Sequence, residues 1–140
     1  MADWVLFAMG SAVFAGLTAI LAKIGVEAVS PDIATLVRAA VVLVFVALLL
    51  SLRRDWSQAG RMDARALAFL VLSGLTTGLS WLCYSRALQG GPASLVAPLD
   101  KLSLPLAIFL AVVVLGERLT SAQWFGAALM TVGAILLALT

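Results

Sequence analysis

Residues 32–52 read DIATLVRAAVVLVFVALLLSL. One basic residue, Arg38, interrupts the run, and Ala39 to Leu52 after it carry no charge. The run is too long for a buried strand. It matches a helix crossing a bilayer, which needs about 20 mostly apolar residues for a hydrocarbon core of about 30 Å. Similar runs flank it at 4–22, 66–85, 93–116 and 119–139. Hydrophobic residues make up 64% of the chain and charged residues 11%. A soluble domain averages about 25% charged, so this chain cannot furnish a soluble surface and the lipid bilayer is its expected solvent. The expected fold is all-α: a polytopic membrane protein of five transmembrane helices in one domain, residues 1–140.

The punctuation between the runs supports this division. Ser30-Pro31 is a helix-start signal for the 32–52 span. Arg53 through Arg65 form the longest link, Gly90-Gly91-Pro92 is a turn, and Gly116-Glu117-Arg118 closes the fourth span. Thr120 and Gln123 form a capping-box pattern at the start of the fifth. Short links predict antiparallel neighbours. With five spans, the side of the N-terminus (side A) collects Arg53, Arg54, Arg61, Arg65 and Arg118, against Lys23 and Arg86 at the boundary of side B. Basic residues favour the cytoplasm, so side A is the expected cytoplasmic face. Trp4, Trp56 and Trp124 near side A, with Trp81 and Tyr84 near side B, fit two aromatic belts.

Several functions are excluded. The chain has no His and no Asn, which removes His-based metal sites, His general bases and N-glycosylation sequons. No Walker pattern, Ser/His/Asp set, Cys/His set or paired carboxylates occur, so an enzyme, a cofactor or metal, and ATP-driven work are not expected. Two excess positive charges, with scattered basic residues, say nothing of nucleic acid, which is not an expected partner. Cys83, the single cysteine, reads as a small buried apolar residue. Met1-Ala2-Asp3-Trp4 lacks the basic start of a signal peptide, so the first run is read as a span.

Length locates the unusual residues. The uncharged stretch 39–52 covers roughly 21 Å and 102–116 roughly 22 Å at the helical rise. If both helices span, Arg38 and Lys101 lie roughly 8 Å inside the side-B boundary, and Asp100 travels with Lys101. A charge in a bilayer costs on the order of 3 kcal/mol and usually faces a cavity or a partner. One reading is a polar vestibule in which Arg38 and Lys101 hold an anionic or zwitterionic substrate while Asp100 balances charge or carries a proton. The other is an inter-helix pair of Arg38 with Asp100, or snorkelling of both bases to side B. Pro98 and Pro105 flank the Asp100-Lys101 pair, and each removes a backbone donor and kinks a helix. Broken helices beside charges are typical of transport sites; an ordinary packing kink is the alternative. Lys23 and Arg86 read as interfacial anchors, and Glu117-Arg118 as a solvated turn pair. Gly74 and Gly78 form a GxxxG, and Ala122, Gly126 and Gly133 line one side of the last span. Both patterns permit close helix contact.

Tyr84-Ser85-Arg86-Ala87-Leu88, Gly90 to Pro98, Asp100-Lys101-Leu102-Ser103 and Leu115-Gly116-Glu117-Arg118-Leu119-Thr120 together resemble an EamA-like domain of the drug/metabolite transporter superfamily. Gln123, Gly126, Ala127 and Gly133 extend the resemblance, as do Ala22-Lys23-Ile24-Gly25, Thr35 and Arg38. It covers nearly the whole chain and is closest to short five-span bacterial and archaeal members. The resemblance implies a secondary transporter of a prokaryotic plasma (inner) membrane, often an exporter of amino acids or other small polar metabolites. It also implies that this chain is one half of a ten-helix inverted-repeat transporter, completed by a homodimer. An odd number of spans leaves the two ends on opposite sides, so joined halves are inverted. An antiparallel dimer is favoured on that ground, with a parallel dimer as rival because of the arginine bias. The four-span multidrug exporters of the superfamily use a Glu in their first helix; here no acidic residue lies between Asp3 and Glu27, which disfavours that mechanism. The alternative function is an accessory or assembly subunit, for example of a lipid-carrier flippase, with structural intramembrane charge pairs.

Overall fold

The computed structural model describes residues 3–54, 56–57, 60 and 62–139. Arg61, counted above among the side-A bases, lies outside the described residues. The chain forms α1 (Asp3–Val26), α2 (Pro31–Arg53), α3 (Ala64–Gly90), α4 (Ala93–Asp100), α5 (Ser103–Leu115) and α6 (Ser121–Leu139), with no strand among the described residues. Five helical stretches, with α4 and α5 taken together, are long and apolar enough to cross a membrane. The structure thus shows the all-α, five-span fold class. The helices group into two compact units, Met1–Gly90 and Gly91–Thr140.

Local chemistry sets the helix ends. Ser30 Oγ accepts from the Ile33 amide at 3.3 Å, and Pro31 occupies the first turn of α2. The Gln123 side chain accepts from the Thr120 amide at 2.7 Å and the Gln123 amide donates to Thr120 Oγ1 at 3.4 Å, the reciprocal pattern expected at α6. Asp63 Oδ1 accepts from the Ala66 amide at 2.9 Å, a cap that starts α3 two residues earlier than its apolar run. α1 also continues through Lys23 to Val26, and α3 through Arg86 to Gly90, because helical hydrogen bonding does not stop where hydrophobicity does. Gly116 ends α5 in the left-handed region at φ 70°, and the Glu117 amide reaches back to Ala111 O at 3.3 Å.

Within the first unit α1, α2 and α3 pack against one another. Their buried residues are Ala19, Ala22 and Val26 of α1, Ala34 and Thr35 of α2, and Ser85 and Leu88 of α3. All lie towards the side-B ends of their helices, so the unit is fastened at one end. Polar groups tighten the same end. Lys23 Nζ donates to Leu88 O at 2.7 Å, and Gln89 Nε2 donates to Val26 O at 3.0 Å and Val29 O at 2.9 Å. These carbonyls belong to the last turns of α1 and α3 and to the link after α1, where helices leave acceptors unpaired. Thr35 Oγ1 and Ser85 Oγ share a buried hydrogen bond of 3.1 Å between α2 and α3. Lys23 therefore does more than the boundary anchoring expected of it. Arg86 pairs with Asp32 at 3.3 Å on the surface, a contact worth little by itself.

In the second unit α6 packs on both α4 and α5, burying Ala127 and Ala134. Neither Gly126 nor Gly133 has an atom within 4 Å of where a Cβ would stand, and the same holds for Gly74 and Gly78. These glycines make no close helix contact within the described chain. Cys83 is exposed, contrary to its expected burial. Its position on α3 turns it away from the Ser85 and Leu88 face, two and five residues further along a 3.6-residue helix.

Candidate functional site

Arg38 sits two turns into α2, beside the seam between α1 and α2. Thr18, Leu21 and Gly25 of α1, Val37 and Arg38 of α2, and Trp81 of α3 are among the residues that line a groove of about 630 Å³ there. Among the described residues, Arg38, Thr18 and Trp81 are the lining residues with a polar side chain. The guanidinium carbon lies 4.7 Å from the centre of the Trp81 ring, a cation–π stack. Its Nη1 is buried with no hydrogen-bond partner. A guanidinium carries five N–H donors in a fixed planar fork and no acceptor. Stacking on Trp81 compensates the charge over one face of the plane but satisfies no N–H. The guanidinium thus borders the groove while one of its N–H groups, covered by protein, meets no acceptor.

Trp81 was expected at an aromatic belt; the structure makes it the surface that orients Arg38. A sequence signal existed only in part. Thr35, Arg38, Trp81 and Ser85 fall at helical spacing on α2 and α3, but nothing in one chain's periodicity says which two helix faces meet.

Asp100 and Lys101 belong to the second unit, at the end of α4. Their side chains pair with each other at 3.2 Å and are both partly exposed. The span breaks immediately after them. Pro105 lacks the N–H that would bond Lys101 O, and the Leu104 amide takes that acceptor instead at 3.0 Å. The Lys101 and Leu102 amides bond three residues back, to Pro98 O and Leu99 O, each at 3.0 Å. The tightened turn separates α4 from α5. Proline chemistry thus produces the expected break, at Lys101 and Leu102. Arg38 stands in the first unit and the Asp100-Lys101 pair in the second. No group of His, Cys, Asp or Glu that could hold a metal occurs among the described residues.

Five helical stretches long and apolar enough to cross a membrane, one of them broken between prolines, make this a polytopic α-helical membrane protein. Residues 2–139 match the EamA-like transporter family, and the chain belongs to it. It is similar to an uncharacterized transporter in the cobO 3′ region of a Sinorhizobium species, with 45% identity over 136 residues covering 97% of this chain and 96% of the relative. No solved structure matches the chain.

Proposed function

We propose that this transporter is a secondary exporter of small polar metabolites, anionic or zwitterionic and amino acids among them, in a prokaryotic plasma (inner) membrane. Arg38, Lys101 and Asp100 bind the substrate, and Asp100 is the candidate for proton coupling. The observation that carries this reading is the buried, unpartnered Nη1 of Arg38 beside a groove. An intramembrane base kept without a protein acceptor is placed for a ligand. The break between Pro98 and Pro105 replaces regular helical bonds beside Asp100 and Lys101 with bonds three residues back. A homodimer supplies the second half of the path, since one five-helix chain is half of an inverted-repeat arrangement. Antiparallel copies reproduce that arrangement.

The test is efflux and uptake of a metabolite panel in proteoliposomes. Arg38→Ala and Lys101→Gln are expected to lower flux at least about tenfold, the scale of one charge-assisted contact, with protein yield and insertion unchanged. Normal flux in both variants overturns the site. Variants that insert but lose only stability, with no panel compound moved by the parent protein, favour the accessory-subunit reading.

A further inference from the structure

The charges lining the groove are one-sided. Arg38 supplies a cation, and among the described residues no Asp or Glu lines the same groove. An α-amino acid entering it would meet a partner for its carboxylate and none for its ammonium. An unpaired ammonium inside an apolar wall is strongly disfavoured. Apart from the Thr18 hydroxyl and the Trp81 indole, the wall, Leu21, Val37 and Val41 for example, offers dispersion and apolar burial. The volume of about 630 Å³ lies in the range of sites that enclose whole organic ligands, larger than a short polar metabolite fills. From the single cation, the missing anion and the apolar wall, we infer that the Arg38 groove takes a water-soluble organic monocarboxylate with a short apolar body, not a long-chain lipid. Its carboxylate lies on the guanidinium and its body lies along the α1–α2 seam.

The inference rests on the transport reading for the site's use, and at the Arg38 groove it replaces the zwitterionic substrates of that reading with monocarboxylates. The stack on Trp81 fixes the guanidinium plane, which favours a planar carboxylate approaching in that plane over a spherical inorganic anion. Gly25 forms part of the wall and has nothing within 4 Å of a Cβ position. A Cβ placed there meets no protein atom.

Binding can be read without transport. The protein is placed in nanodiscs of neutral lipid, and fluorine-labelled 3-phenylpropanoate is titrated by fluorine NMR, with empty nanodiscs as background. The same measurement is made with labelled phenylalanine, which adds only the ammonium, with 3-phenylpropanol, which removes the carboxylate, with acetate in competition, and with a labelled long-chain fatty acid. The expected result is saturable binding of 3-phenylpropanoate, at least about tenfold tighter than phenylalanine or the alcohol, because each control strands or removes one charge. Acetate competes weakly. Arg38→Gln weakens 3-phenylpropanoate by the same factor, and Gly25→Leu removes its binding while leaving Arg38 in place.

Equal binding of phenylalanine, an unchanged Arg38→Gln variant, or no saturable binding in the millimolar range overturns the inference. So does saturable binding of the fatty acid alone, which assigns the groove to a lipid. If Arg38→Gln does not fold, Gly25→Leu decides: unchanged binding there overturns the groove. Arg38-dependent binding without flux of any compound leaves this ligand class standing and removes the transport reading. Flux of amino acids with no Arg38-dependent binding of 3-phenylpropanoate does the reverse.

Discussion

Two residues show how little separates a functional polar group from a structural one in this chain. Arg38 and Thr35 lie one turn apart on α2. Thr35 meets Ser85 and is satisfied at 3.1 Å, whereas Arg38 Nη1 is buried and unsatisfied. Ser85→Ala leaves the buried Thr35 hydroxyl without its partner and is expected to lower stability by about 1–3 kcal/mol. The double variant Thr35→Val with Ser85→Ala removes both groups and is expected to lie closer to the parent than Ser85→Ala alone. Denaturation in detergent, followed by circular dichroism, measures both. A double variant less stable than Ser85→Ala alone contradicts this account. Gly116 makes a second case. Its φ of 70° is a conformation that L side chains adopt at a cost. Gly116→Ala is expected to lose about 1–2 kcal/mol by the same denaturation, although no atom stands within 4 Å of the new Cβ.

At the scale of the element, the division of the fourth span into α4 and α5 is written in two prolines. Either proline might kink a continuous helix; together they surround Lys101 and Leu102 and exhaust the regular bonding pattern there. Pro105→Ala restores the N–H opposite Lys101 O. With about 3 kcal/mol separating Pro from Ala in a helix interior, the variant is expected to close the break. Amide exchange at residues 101–104 should slow at least about tenfold, a fraction of that difference. Exchange as fast as in the parent would show that packing by α6, not proline, divides the span. The ends of α1 and α3 lie beyond their apolar runs for a related reason. Asp63 caps α3 early, while Lys23 and Gln89 reach carbonyls on neighbouring segments. Apolar runs mark where lipid contact is possible; hydrogen bonding decides where the helix ends.

At the scale of the molecule, most large apolar side chains on the spans are exposed, among them Phe7, Phe14, Leu43, Val44, Phe69 and Phe125. Lipid is the solvent for such faces. The copies' orientation is tested by single-cysteine labelling in membranes. Exposed Cys83 must first be replaced by Ser so that it does not label. With Ser57→Cys in the 53–65 link and Gly91→Cys in the 90–92 turn, the five-span topology predicts labelling from opposite sides of the membrane in any one copy. An antiparallel homodimer predicts a C-terminal tag reachable on both faces. A tag confined to one face rules it out and leaves the parallel dimer favoured by the arginine bias.

The span count and the Ser30, Thr120 and proline punctuation were legible from residue order. Each depends on the bilayer's thickness, helical rise or backbone donors, which act along one chain segment. The same holds for the family resemblance carried by residues 98–103 and 116–120. What required the tertiary structure was the pairing of faces: Trp81 under Arg38, Ser85 against Thr35, and Lys23 and Gln89 on the ends of neighbouring segments. Those contacts join residues some 40 to 65 positions apart on helices that are apolar on nearly every side. A helix without a polar face carries no periodic mark of which side meets protein and which meets lipid, so only packing could choose.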